Sequence, residues 1–268
     1  MRILFATIAI SLLLCGCSPN NVHVEDSLGK YFNDNKVIGC FGLFDNQTGD
    51  FTIYNLKRYR DSAYLPASTF KIVNSLIGLQ TGTITDDSMV IRWNGVGSGR
   101  TECDADLSMY QAFRVSCVPW YQEVARRIGK DTMKLWLDSL GYGNRKISRI
   151  DSFWLDNSLK VRADEQLGLV KRLYFHQLPF HQRNQEIVKR AMLFENTTDY
   201  QLSYKTGWGK TEKGNQLAWI TGWIVENKHP FFFVLNVETK DSEADLSVIR
   251  LNMLHGILKQ LGFMQGRR

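Results

Sequence analysis

The sequence predicts an α/β fold of the α+β kind, with a central antiparallel sheet flanked by helices and a helical subdomain set into it. Two observations carry this expectation. Strand-like patterns stand at both ends of the chain, and the stretch between them, about residues 84 to 195, is mostly helical in pattern. With 268 residues, 44% hydrophobic and 22% charged, the chain can bury the core that such an architecture needs.

The first 17 residues, MRILFATIAISLLLCGC, place Arg2 before a short apolar run that ends in small residues, the build of a secretory signal. The run is shorter than the roughly 20 apolar residues of a membrane span. Leu14-Cys15-Gly16-Cys17 resembles a bacterial lipoprotein signal, so lipidation of Cys17 and ordinary cleavage nearby are both open. Either way the expectation is an exported, periplasmic protein, free or tethered by lipid. Residues 18–35, which include SPNNVHVEDS, read as a polar linker, and residues 36–268 as the folded domain.

VIGCFGLFDNQTGDFTIYN reads as two strands around an Asn-Gln-Thr-Gly-Asp turn. From Ser68 to about Gln80, Phe70, Ile72, Val73, Leu76, Ile77 and Leu79 cover most of a helix, which therefore lies in the core and ends at Thr81-Gly82. PWYQEVARRIG opens with proline at a first-turn position and closes on glycine, and KDTMKLWLDSLGYGN follows the same pattern. ADEQLGLVKRLYFHQL and NQEIVKRAMLFEN fit two further helices. LSYKTGWG, QLAWITGWIVEN and PFFFVLNVET read as strands, and residues from about 243 to 261 as a closing helix.

The formal charge of +6, or +5 without Arg2, is scattered along the chain, which implies no nucleic-acid partner but a mild attraction for anions. Cys40, Cys103 and Cys117 lack the spacing of a zinc site or the density of a disulfide scaffold; at most one bridge can form among them, and the sequence singles out none. The five histidines lack ligand spacing, and His176 and His181 read as loop or helix-surface residues. GVGSGR lacks the strand-helix setting of a phosphate cradle, and no G-x-S-x-G elbow occurs. No metal is expected.

A serine three residues before a lysine occurs twice. Ser27 and Lys30 sit in polar, linker-like surroundings, whereas Ser68 and Lys71 begin the most apolar helix. There the lysine amine reaches the serine hydroxyl from the same helix face. Burial lowers a lysine pKa from about 10.4 by up to 3 to 5 units, enough to make the amine a base toward a serine nucleophile. The helix N-terminus beside Ser68 would favour an oxyanion.

Lys205-Thr206-Gly207, followed by Trp208, offers a cation, a hydroxyl and open backbone to a carboxylate. Ser116-Cys117-Val118 places a hydroxyl just before the Pro119 helix, where it would relay a proton or act as a cap. S-x-x-K, a central serine and K-T-G occur in the order of the penicillin-recognising serine enzymes. Ser116-x-Val118, Tyr142-Gly143-Asn144, Trp154 in FWL and Arg250 in DLSVIRLNML narrow the resemblance. From about residue 36 to 262 the chain resembles the class D, oxacillinase-type, β-lactamases.

The resemblance implies a β-lactamase/transpeptidase-like fold and hydrolysis of the β-lactam ring of penicillin-type antibiotics. It implies Ser68 as nucleophile and Lys71 as an N6-carboxylated general base, with carbon dioxide or bicarbonate as the only accessory. Ser116 is then the proton relay. Lys205, Thr206, Gly207, Trp208 and Arg250 bind substrate, and Phe70, Val118 and Trp154 wall the carbamate pocket. Cys117 and Pro119 beside Val118, and Trp208 after the K-T-G motif, depart from what the family more often carries. The rival functions that share these motifs are a β-lactam sensor domain and a D,D-peptidase, both of which acylate without rapid turnover. The single leader and the lack of further membrane-length runs count against the sensor.

Overall fold

A computed structural model of the chain describes residues 21–268. The leader 1–17 and the lipid site at Cys17 lie outside the described residues. In chain order the elements are β1 (Val22–Val24), α1 (Gly29–Asp34), β2 (Ile38–Asp45), β3 (Phe51–Tyr54), α2 (Leu56–Asp61), β4 (Ala63–Tyr64) and α3 (Lys71–Gln80). Next come β5 (Val90–Ile91), β6 (Leu107–Ser108), α4 (Met109–Arg114), α5 (Val118–Ile128), α6 (Lys130–Leu140), β7 (Val161–Arg162), α7 (Ala163–Tyr174) and α8 (Gln182–Met192). The chain closes on β8 (Leu193–Asn196), β9 (Gln201–Lys210), β10 (Gln216–Glu226), β11 (His229–Thr239) and α9 (Leu246–Gln260).

Seven strands form one sheet in the order β1-β3-β2-β11-β10-β9-β8, which joins the two ends of the chain through the β2–β11 pair. Side chains alternate along the central strands. Leu217, Trp219, Trp223, Phe232 and Val234 face a core shared with the helical subdomain, whereas Ala218, Ile220, Ile224, Phe231, Phe233 and Leu235 face α1 and α9. The run PFFFVL is apolar throughout because β11 is covered on both faces. Ribbon β5–β6 and strand β7, which pairs with β4 outside it, interrupt the otherwise helical insert.

Three details differ from expectation. Part of the supposed linker is folded: β1 pairs with β3, Val22 opposite Phe51, while Leu28 and Phe32 are buried against α9 and the sheet. A few well-placed apolar residues in polar sequence suffice for this. The β1–β3 pair is parallel in an otherwise antiparallel sheet. The last residues of NQEIVKRAMLFEN leave the helix as edge strand β8, where Phe194 stacks on Tyr204 of β9 at a ring separation of 4.3 Å.

Helix α3 is buried from Lys71 to Leu79. Phe70, Ile72, Val73, Leu76 and Ile77 are fully buried, each stabilising the fold by roughly 1.5–3 kcal/mol. The helix ends at Thr81, followed by Gly82 with a φ of 74°, as the Thr-Gly pair predicts. Asn74 Nδ2 donates to the Tyr121 carbonyl at 3.1 Å, and Ser75 Oγ meets Tyr121 Oη at 2.8 Å, which ties this core helix to α5 through two of its buried polar groups.

Candidate active site

Ser68 does not start α3; it lies in a 3-10 turn, Ala67–Phe70, that feeds into it. The turn is fixed from four directions. Ala67 N donates to Trp154 O at 3.0 Å, and Trp219 Nε1 donates to Leu65 O at 2.9 Å. Thr69 Oγ1 donates to Pro66 O at 2.7 Å and accepts from Gln166 Nε2 at 2.6 Å. Strand β9 crosses so closely that a Cβ on Gly207 would stand 2.9 Å from Pro66 O, which explains the glycine of the Lys-Thr-Gly motif.

Ser68 is partly exposed, while Lys71 beneath it is completely buried with Nζ 2.6 Å from Ser68 Oγ. Burial lowers the Lys71 pKa from its ordinary 10.5 to about 7, so the amine is available in its neutral form near neutral pH. Phe70 and Trp154 stack at 5.4 Å behind this pair, and Phe153 meets both edge-on. Both Phe70 and Trp154 have no exposure, and the Trp154 indole Nε1 has no hydrogen-bond partner among the described residues. Such a buried orphan donor costs about 1–3 kcal/mol unless an acceptor reaches it.

Ser116 is not a helix cap; Cys117 holds that position, and Ser116 adopts a left-handed φ of 59°. This conformation is uncommon for a residue with a Cβ, and strain of this kind gathers at functional sites. It aims Ser116 Oγ at Lys205 Nζ, 2.9 Å away. Lys205 is 1% exposed, and burial, then the Lys71 and Arg250 charges, hold it well below the ordinary lysine value. Arg250, on the first turns of α9, donates from Nη1 to Gly207 O at 2.6 Å and has a buried, unpartnered Nε. Its burial lowers its pKa to about 10.

These groups meet at a cleft of about 920 Å³, which Ser68, Ser116, Val118, Thr206, Gly207, Trp208 and Arg250 line, with Trp208 49% exposed at the rim. Lys71 and Lys205 lie under its floor. The residues that the sequence named therefore meet here, with Phe70 and Trp154 behind the floor. It missed Arg100 and Arg114, which also line the cleft with Glu102 and Leu155. Arg100 reaches in from the loop before β6, pairs with Glu102 and donates to Val115 O at 2.8 Å. Arg114 ends α4 and lies over the Phe194 ring at 3.5 Å, contacts that only the fold creates. With three arginines and one carboxylate in its lining, the cleft favours an anionic ligand.

The other histidines and serine–lysine pair stand apart. His176 is bonded to Glu186 and Lys189, and Ser27 Oγ accepts from Gln260 Nε2 at 2.8 Å on the surface.

Residues 39–257 match the penicillin binding protein transpeptidase domain family. Among curated relatives, β-lactamase OXA-5 of Pseudomonas aeruginosa is 38% identical over 220 residues, 81% of this chain and 82% of the relative. Among solved structures, a class D β-lactamase from Nostoc superimposes with a TM-score of 0.84 at 34% identity, covering 89% of this chain and 99% of that one. The C-terminal domain of the Bacillus licheniformis BlaR penicillin receptor gives a TM-score of 0.84 at 29% identity over 90% of this chain and 96% of that domain.

Proposed function

Since the chain belongs to the class D serine β-lactamases, we propose that it hydrolyses the β-lactam ring of penicillin-type antibiotics through an acyl-enzyme on Ser68, and so confers resistance. The observation that carries this reading is the 2.6 Å contact between Lys71 Nζ and Ser68 Oγ, in a pocket that lowers the lysine to about 7. A serine hydroxyl becomes an effective nucleophile only when such a base takes its proton.

Lys71 draws the proton from Ser68 Oγ as the oxygen attacks the lactam carbonyl. The backbone N–H groups of Ser68 and Trp208 receive the oxyanion, where one well-placed donor is worth about 2.7–4 kcal/mol. Ser116 passes a proton to the departing lactam nitrogen, and Lys205 at 2.9 Å resupplies it. Lys205, Thr206 and Arg250 hold the substrate carboxylate, which offsets the like charges crowded around Lys205. Gly207 leaves the strand backbone open to the ligand. Between the two halves the proton that Lys71 took replaces the one that Lys205 gave up; Lys71 then draws a proton from the water that attacks the acyl carbonyl and returns it to Ser68 Oγ as a penicilloate-type acid leaves.

The surroundings of Lys71 also fit carbon dioxide, bound to the amine as an N6-carboxylate. A neutral amine is required, and the buried, unpartnered Trp154 Nε1 is the donor that a carboxylate oxygen would satisfy. The carbamate supplies an anionic base at this position. Phe70 and Trp154 form the apolar wall behind it, and Val118 screens it from the cleft.

The test is hydrolysis of a chromogenic cephalosporin with bicarbonate added and withdrawn, alongside mass-spectrometric penicillin labelling of the parent and Ser68→Ala. Sustained turnover, dependence on bicarbonate and loss of the label in Ser68→Ala are expected. A labelled Ser68→Ala protein would point to another nucleophile. Stoichiometric acylation without turnover would make the protein a sensor or a slow D,D-peptidase instead. The leader implies export to the periplasm, and labelling of cells with palmitate distinguishes a lipid tether at Cys17 from plain cleavage.

A further inference from the structure

Two cysteines that this chemistry does not use stand behind the cleft wall. Cys103 closes the 3-10 turn Thr101–Cys103, and Cys117 caps α5 directly after Ser116. Both are buried, with 4% and 1% exposure, yet both line one cavity of about 530 Å³ between Trp93, Leu107 and Trp120. The two thiols are neighbours there; burial first, and then Cys117 beside it, push the Cys103 thiol up to about 12. Arg100 holds the two segments together from the cleft side, donating to Val115 O at 2.8 Å and Ser116 O at 3.4 Å. Cys40 is elsewhere, on β2 beside Arg58 and Asp164, and does not line this cavity.

We propose that Cys103 and Cys117 form an oxidation site, whose disulfide staples the Thr101–Cys103 turn, with Arg100 and Glu102, to the strained Ser116 turn. The oxidant is a disulfide R–S–S–R, either a small molecule or a protein dithiol–disulfide exchanger. One cysteine loses its proton and attacks a sulfur of R–S–S–R, forming a mixed disulfide and releasing R–S⁻. The second cysteine loses its proton and attacks the mixed disulfide at the first cysteine's sulfur, releasing the other R–S⁻. Two cysteine thiols are oxidised, the oxidant is reduced to two R–SH, and the protons lost by the cysteines end on the two leaving groups. The cavity gives the oxidant a path to sulfurs that are otherwise enclosed. Burial keeps Cys103 protonated, so the bridge forms most readily while the chain folds.

The bridge closes the loop that carries β6 and α4, which removes conformations from the unfolded chain and fixes the cleft wall from behind. The experiment is to refold the chain with oxidised or reduced glutathione, alkylate free thiols and map peptides without reductant. The expected result is a cross-linked pair joining Cys103 to Cys117, Cys40 remaining alkylatable. The bridged protein should then unfold at a midpoint roughly 5–10 °C above the reduced protein. That difference should vanish in Cys103→Ser and, if that variant misfolds, in Cys117→Ala. Alkylation of both cysteines after oxidative refolding, a bridge from Cys40 to either, or equal midpoints for bridged and reduced parent would each overturn the proposal.

Discussion

Replacing Lys71 by methionine should abolish hydrolysis and, at neutral pH, stabilise the protein. Methionine fills a similar volume with no charge to bury. The folded state lowers Lys71 from 10.5 to about 7, so the unfolded chain binds the proton more tightly than the native one. For a charged lysine this costs the fold about 5 kcal/mol, at about 1.4 kcal/mol per tenfold change in proton affinity. Between pH 7 and 10.5 the unfolded state carries the extra proton, so stability rises with pH across that window. The cost is still about 4 kcal/mol at pH 7, falls to about 2 at pH 9 and is gone above the unfolded value. Losing the bond to Ser68 subtracts about 1 kcal/mol from the gain. The net gain for Lys71→Met is then about 3 kcal/mol at pH 7 and about 1 at pH 9, or roughly 6–12 °C and 2–4 °C in melting temperature. Thermal unfolding of both proteins in buffers free of carbon dioxide, at the two pH values, measures it. A variant no more stable than its parent at pH 7, or a gain that does not shrink toward pH 9, would refute the claim that Lys71 is a destabilised, proton-poor amine.

Two further outcomes follow from the same geometry. Trp154→Phe keeps the ring stacked on Phe70 but deletes the orphan indole donor, so its bicarbonate requirement should rise about 10- to 100-fold, with a weaker carbon-13 carbamate signal; parental activity in bicarbonate-free buffer would count against the pocket assignment. Arg58→Ala removes the partner of Glu238, 2.9 Å away with both side chains under 10% exposed, and should cost about 3–5 kcal/mol in denaturant unfolding; a loss below about 1 kcal/mol would mean that Asn215 and solvent satisfy the carboxylate.

The sequence disclosed the site through residues whose setting is local. The apolar run after Ser68 announced a buried helix, and burial is what perturbs Lys71. Lys205 and Gly207 were visible because a strand motif fixes which side chains share a face. What stayed hidden depends on contacts distant in sequence. Arg100 and Arg114 enter the cleft only because a loop folds over the Val115–Ser116 turn and because β8 brings Phe194 beneath a guanidinium. The left-handed backbone of Ser116 has no signature in a Val-Ser-Cys string. The strand at Val22–Val24 was hidden for the opposite reason, since edge pairing asks little of local composition. The 3-10 start of the Ser68 segment is a matter of boundaries, where Pro66 and a left-handed Ala67 tighten the first turn.

The cleft has two unlike walls. One is anchored in α3 and in the buried part of β9, where a side-chain change disturbs the packing of the core. The other consists of Trp208, held by Gln216 at its indole nitrogen, and the exposed Arg100–Glu102 pair. Heritable variation in ligand preference therefore has a cheap route through the second wall, while the reacting groups are shielded from drift by the same residues that keep the chain folded.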